Sequence, residues 1–272
     1  MTRPPIVRTR RSLISRTGET SGMRALPEET PVVFTYGRKT HAVMLASPTD
    51  LEDFAVGFSF TERIVADAHE IEELEIVDLH NGIELRMMLA ASRERAIEKR
   101  RRRFAGPAGC GLCGIESLDA ATVQPPAVRS ALQVDSQEIF RALTALRDHQ
   151  SINAETRGVH AAGFWSSAAE RFLAVREDVG RHNALDKLAG ALLRADISAS
   201  EGFVVLTSRV SIELVQKAAI LGCPMLVAVS VPTALALRTA DAANLTLAAV
   251  ARDDSFEVFT HPERIRFASH VD

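Results

Sequence analysis

Two cysteines, Cys110 and Cys113, stand in the run Cys-Gly-Leu-Cys with a glycine on each outer side, shortly after Lys99 and four arginines at 100–103. Three chemistries fit such a pair. It could be half of a zinc site, but that needs two further soft ligands, usually a second pair at matching spacing. Cys223 stands alone before a proline and reads as core, and His160 and His182 are isolated in the sequence. It could be a thioredoxin-type redox pair at a helix start, but the surrounding glycines oppose a rigid helix start. It could be a nucleophilic thiol that carries a group. Neighbouring arginines depress a thiol pKa and enrich the thiolate, and a second cysteine can resolve or relay the first. The third reading alone uses the glycines, the basic block and the pair together. It predicts a Cys110 pKa below the free-thiol value.

Three further segments follow apolar strand-like runs: TSRVS at 207–211, SVPT at 230–233 and VARDDS at 250–255. In an open α/β sheet, ligands lie beyond the C-terminal strand ends, at helix N-termini. Ser208 and Arg209 in the first segment, and Val250, Ala251, Arg252, Asp253, Asp254 and Ser255 in the third, offer amides, hydroxyls and guanidinium groups to a phosphate or pyrophosphate. Asp253 or Asp254 could accept from a guanine. Ordinary helix capping explains Ser211 or Thr233 at least as well. Between 176 and 187 the run REDVGRHNALDK packs six charges, a histidine and an asparagine. Arg181 and His182 would suit an anionic ligand or another subunit. The plainer reading makes Asp178 or Asn183 a helix cap, with Asp186 and Lys187 as surface charge.

The elements that must position these groups are legible from periodicity. Residues 31–47 read as a hairpin about Gly37-Arg38-Lys39. A helix capped by Ser47 or Thr49 follows, with Leu51, Phe54, Ala55 and Phe58 on one face. A second hairpin turns at Asn81-Gly82. From 134 onward strands alternate with helices: one helix capped by Ser136, one carrying Leu185, Leu188, Ala189, Leu192 and Leu193 on one face, one ending at Gly222, and one opened by Pro232. Buried strands alternating with helices mean a parallel or mixed sheet covered on both faces. The expected organisation is a basic, mobile tail over 1–24, a small α+β unit over 25–103, a mobile loop bearing the cysteines over 104–133, and an α/β/α domain over 134–272.

Composition sets the class. Hydrophobic residues make up 46 % and charged residues 25 % of the chain, the balance of a globular protein. A net charge of −3 gives no global pull toward nucleic acid. Three cysteines are too few, and odd in number, for a secreted disulfide scaffold, which favours a reducing cytoplasm. No apolar run approaches the ~18 residues of a membrane span. The run TRRSLIS at 9–15 looks like a twin-arginine export signal, but the polar sequence after it argues against export.

The motifs CGLCG, REDVGRHNALDK, SRVSIELVQKAA, PMLVAVSVPTALAL and NLTLAAVAR, in this order and spacing, closely resemble the formate dehydrogenase accessory sulfurtransferase family, as does PTDLEDFAVGFSFTERIV before them. The resemblance spans about residues 25–267. It implies a cytidine-deaminase-like α/β/α sandwich without its zinc or any structural metal, assembled as a homodimer. It also implies a cytoplasmic sulfur carrier that accepts persulfide sulfur from a cysteine desulfurase. The sulfur passes to the molybdenum of Mo-bis(molybdopterin guanine dinucleotide), which serves formate dehydrogenase; neither nucleic acid nor membrane is a partner. Cys110 matches the persulfide position, Cys113 its partner, and 250–255 the cofactor-contacting loop, for which GDP is a mimic. The alternative is a non-catalytic chaperone that only binds the cofactor. The chain departs from the family pattern where Arg157 replaces a glycine, adding bulk at a tight place, and where Asp253-Asp254 makes the last loop acidic.

Overall fold

A computed structural model of the chain describes residues 3–91, 93 and 124–267. The chain opens with a hairpin of β1 (Ile6–Ser15) and β2 (Gly18–Pro27), paired without a break from Ile6↔Pro27 to Ser15↔Gly18. This corrects the expected mobile tail over 1–24. The run carries Ile6, Val7, Thr9, Leu13 and Ile14, residue types that favour strands, and a two-residue turn leads to Gly18 at φ 137. The base is fastened by Arg8 to Glu155 at 2.7 Å and by Arg24 to the Thr156 carbonyl at 3.0 Å.

Next comes a four-stranded sheet of β3 (Thr30–Tyr36), β4 (Lys39–Ala46), β5 (Ile71–Leu79) and β6 (Gly82–Leu89), in the order β4-β3-β6-β5. Its inner face, with Phe34, Leu85 and Met87, closes on Phe54 and Phe58 of α1 (Leu51–Thr61). Neither Ser47 nor Thr49 caps α1. The N-cap is Asp50, at φ 51, and its side chain makes no capping bond.

The described part of the cysteine-bearing segment, 124–133, is irregular but held. The Val128 amide donates to Ala243 O, Asn244 donates to Val128 O, and the Ser130 hydroxyl donates to Ser200 O. The expected mobility therefore does not extend to residue 133; residues 104–123, with Cys110 and Cys113, lie outside the described residues. A short strand, β7 (Val134–Asp135), leads into α2 (Ser136–Leu146). Asp135, rather than Ser136, caps this helix, accepting from the Gln137 amide at 2.8 Å. A short helix, α3 (Ser151–Thr156), follows.

The main sheet holds β8 (His160–Ser166), β9 (Arg171–Asp178), β10 (Gly202–Leu206), β11 (Met225–Ala228), β12 (Thr246–Ala249) and β13 (Glu257–Thr260). Their order is β13-β12-β11-β10-β8-β9, with β10, β11 and β12 parallel. Helix α2 covers one face, setting Ile139, Leu143 and Leu146 against Trp165, Phe203 and Val205. The other face carries α4 (Arg181–Arg194), α5 (Ile212–Leu221) and α6 (Ala234–Ala242), with Leu185, Leu188, Leu214 and Ala240 on Phe164, Val204 and Leu226. This is the expected three-layer arrangement over a mixed sheet. The last strand, β14 (Ile265–Arg266), pairs with β7.

Helix α1, covering the four-stranded sheet, lies directly on α4, which covers the main sheet. The crossing is built on two glycines. A Cβ on Gly57 would overlap the Asp186 carbonyl oxygen and sit 2.6 Å from the Gly190 amide nitrogen; one on Gly190 would overlap the Asp53 carbonyl oxygen. Ion pairs flank the crossing: Asp53 takes Arg176 at 2.7 Å and Arg194 at 2.6 Å.

Candidate functional site at the C-terminal strand ends

The parallel strands deliver the three sequence-derived loops to one edge of the sheet. Val210 and Pro232 form a bridge, the Val210 amide donates to Val231 O, and the Thr233 amide donates to Val210 O. The Val250 amide donates to Ser230 O and the Ala251 amide to Ala228 O. Backbone bonds thus hold 207–211, 230–233 and 250–255 side by side. Pro232 does not open α6 but precedes its cap, Thr233, whose hydroxyl accepts from the Ala236 amide at 3.2 Å.

Individual groups divide into scaffold and surface. Ser208 is buried and donates to the carbonyl of Arg209, while the Arg209 side chain is exposed. Arg252 donates to the carbonyls of Val229 and Ala251 at 2.7 and 2.8 Å, so its guanidinium also holds the loop's shape. Asp253 pairs with Arg147 at the end of α2, which draws it away from the guanine role open to either aspartate; Asp254 is exposed and accepts from the Ser255 hydroxyl. Val250 stands at φ 54, a costly conformation for a β-branched residue, and such strain gathers at loops whose shape matters.

The run 176–187 reaches the same edge but is mostly framework. Asp178 accepts the Ser47 amide at 3.0 Å, the Gly180 amide at 2.7 Å and the Asn183 side chain at 3.0 Å. It also pairs with Lys187 at 2.6 Å, both side chains being fully buried. Lys187 donates to Ser47 O, and the Ser47 hydroxyl accepts from the Val179 amide. The expected surface charges at Asp186 and Lys187 are therefore corrected. Asp186 too is buried, bonded by Thr61 at 2.6 Å and Lys217 at 2.8 Å. Burial pushes its carboxyl up, against the pull of Lys217. Burial opposes the Lys217 charge, yet Asp186 and Glu62 hold that ammonium above its ordinary value. Neither Asp178 nor Asn183 is the N-cap of α4. Gly180 is, where a Cβ would stand 2.7 Å from Asn183 Nδ2.

At the mouth of this framework, Arg181 and His182 begin α4 beside the start of α5. His182 Nε2 lies 2.9 Å from Glu213 Oε2 and 3.2 Å from Ser211 Oγ, and the Ser211 hydroxyl donates to the same carboxylate. These bonds, led by that from His182 and opposed by burial, hold Glu213 down at about 2. Among the described residues the buried Arg181 Nε has no hydrogen-bond partner. Burial, with Arg181 and His182 nearby, keeps His160 below its ordinary value. Sequence reasoning passed over Glu213 and Arg147. Ser-x-Glu at a helix start was a usable signal for the first; nothing local to Arg147 points to Asp253.

Cys223 is wholly buried and burial raises its thiol to about 11, so it is the core residue it was expected to be. Arg157 is exposed and ends α3 at φ 54, so replacing glycine there costs backbone strain rather than crowding. A hollow of about 260 Å³ lies at the far end of α4, lined by Asp67, Ala68, Leu193, Asp196, Ile197 and Ser198, with no thiol or cationic side chain among these. No helix among the described residues is long and apolar enough to cross a membrane.

Residues 27–266 match the FdhD/NarQ family. The chain belongs to that family. It is 54 % identical over 246 residues to the "Sulfur carrier protein FdhD" of Agrobacterium fabrum, covering 90 % of each chain. It is 49 % identical over 243 residues to the protein of that name in Brucella abortus, covering 89 % of this chain and 90 % of the other. Its fold matches a crystal structure from Desulfotalea psychrophila, described as a formate dehydrogenase accessory protein, with a TM-score of 0.75 at 25 % identity, over 97 % of this chain and all of the other. Within the FdhD/NarQ match lie the cysteine pair and every loop of the strand-end rim.

Proposed function

We propose that this protein is a sulfur carrier for formate dehydrogenase maturation, acting as a sulfurtransferase on Mo-bis(molybdopterin guanine dinucleotide). The observation that carries this reading is the rim itself. One sheet edge gathers three strand-end loops, an exposed Arg209 and the starts of α4 and α5, neither closed by a side-chain cap. Amide donors and cations at strand C-termini suit a dinucleotide's phosphates. Arg209 faces the phosphate, Arg252 shapes the loop, and Asp254 accepts from the guanine.

The thiols supply the transfer. The Cys110 thiolate attacks the terminal sulfur of a persulfide on a cysteine desulfurase; the S–S bond there breaks and the desulfurase thiolate leaves. The Cys113 thiolate then attacks Cys110 Sγ. The terminal sulfur departs with the bonding pair as sulfide toward the metal, and a Cys110–Cys113 disulfide remains for a dithiol reductant to reopen. The arginines at 100–103 favour the thiolate at both steps. A two-fold homodimer presents two equivalent rims to the two guanine ends of the cofactor.

Incubation with a cysteine desulfurase and cysteine, followed by intact-mass and peptide mass spectrometry, tests this. The expected product gains one sulfur atom on Cys110, and Cys110→Ala gains none. An unmodified Cys110, with GDP still bound by the protein, leaves a cofactor chaperone instead.

A further inference from the structure

The β1–β2 arm ends at Pro27, where the family match begins. Its ten-residue strands are exposed on both faces, with Leu13 at 49 %, Ile14 at 71 % and Met23 at 56 % exposure. A two-stranded ribbon alone is marginally stable in water, and this one leaves apolar side chains and both strand edges uncovered. The contacts of Arg8 and Arg24 fasten its base, whereas no described hydrogen bond or ion pair ties the half from Leu13 to Thr20 to the body. Five arginines against the single Glu19 give the arm +4 in a chain of net charge −3, so the remainder carries −7.

That asymmetry points to a second copy of the same chain. The four-stranded sheet has two edge strands of opposite character. β4 carries Lys39 and His41 and no acid, whereas β5 carries Glu72, Glu73, Glu75 and Asp78, of which Glu75 pairs with Arg86 and Asp78 with Arg3 of the same chain, together with exposed Ile76 and Leu79. A basic, partly apolar ribbon fits the second edge and is rejected by the first. β1, with Arg8, Arg10 and Arg11, and β5 are also nearly equal in length, at ten and nine residues. We propose that the arm of each copy lies along the β5 edge of the other, two equivalent contacts related by a two-fold axis that closes the pair. The proposal names an interface for the dimer of the preceding reading and does not depend on sulfur chemistry.

Sedimentation equilibrium of the full chain tests it. R10E/R11E on the arm and E72R/E73R on β5 should each weaken self-association about tenfold or more. Both changes are on exposed strands, and the near-ultraviolet circular dichroism of the buried Trp165 reports that each variant is folded. An equimolar mixture of the two variants should recover much of the wild-type association, because in the mixed pair one arm–edge contact is wild type and in the other the two sets of reversed charges meet. A wild-type chain that stays monomeric, variants that associate like wild type, or a mixture without recovery overturns the proposal. So does an arm variant that loses only binding to a DNA duplex or to anionic vesicles. Desulfurase labelling of Cys110 is read separately and is unaffected by any of these outcomes.

Discussion

Glu213 accepts from His182 at 2.9 Å across the starts of two neighbouring helices, and the pair closes one end of the strand-end rim. Glu213 is held at about 2 against an ordinary 4.5, so its stabilising bond is complete above the ordinary value and is lost as pH falls from near 4.5 through about 2. Glu213→Gln should therefore flatten the acid limb of stability, costing about 1–2 kcal/mol near neutrality and little near pH 2. Urea midpoints of variant and wild type across that range check this. Parallel curves would show that the bond adds no stability.

Arg209 and Arg252 should fail differently. Arg209 is exposed, and its loss should weaken GDP binding by ~1.5–3 kcal/mol with an unchanged melting temperature. Arg252 holds the Ala251 carbonyl of its own loop and the Val229 carbonyl of the neighbouring one, so Arg252→Ala should lower both GDP affinity and thermal stability. Calorimetric titration beside a thermal melt separates them. Unchanged affinity in both variants would move the nucleotide elsewhere.

What the sequence made legible here was whatever depends on local repeat. Leu185, Leu188 and Leu192 recur at helical spacing and do face the core, and Asn81-Gly82 does join two strands. What it hid depends on partners far along the chain. Asp186 and Lys187 look like surface charges until Thr61 and Ser47 are brought to them across more than a hundred residues and Lys217 from the next helix. Ser136 and Asp135 are both good capping residues, and one step of backbone decides between them. The three loops of the rim could be inferred because strand-end position is a topological consequence of alternating strands and helices. The roles of Arg252 and Asp253 could not, since each is set by a contact with a carbonyl or cation outside its own loop.

Gly190→Ala should be among the most damaging single changes in the molecule. The added methyl would overlap the Asp53 carbonyl, a backbone atom that cannot swing aside. The cost should be about 3 kcal/mol or more, seen as a large fall in denaturation midpoint. A shift of only a few tenths would mean that the helices separate easily.

Arg157→Gly should do the reverse. The residue ends α3 at φ 54 with its side chain exposed, so glycine relieves backbone strain and removes no buried contact. A gain of about 0.5–1 kcal/mol is expected, read as a rise in melting temperature. A loss would show that the guanidinium makes a stabilising contact.

The back-to-back glycines of α1 and α4 also say where this chain cannot be cut and rejoined. A boundary drawn between the two sheets would part Gly57 from Gly190, whose peptide groups fit each other with no side chain between them. A chimera that takes its first sheet from one relative and its second from another must bring two helix backbones to the same separation and crossing, and no compensating side-chain substitution can make up a mismatch. Helices 51–61 and 181–194 are thus the unit of exchange, and grafts should function only when both come from the same parent.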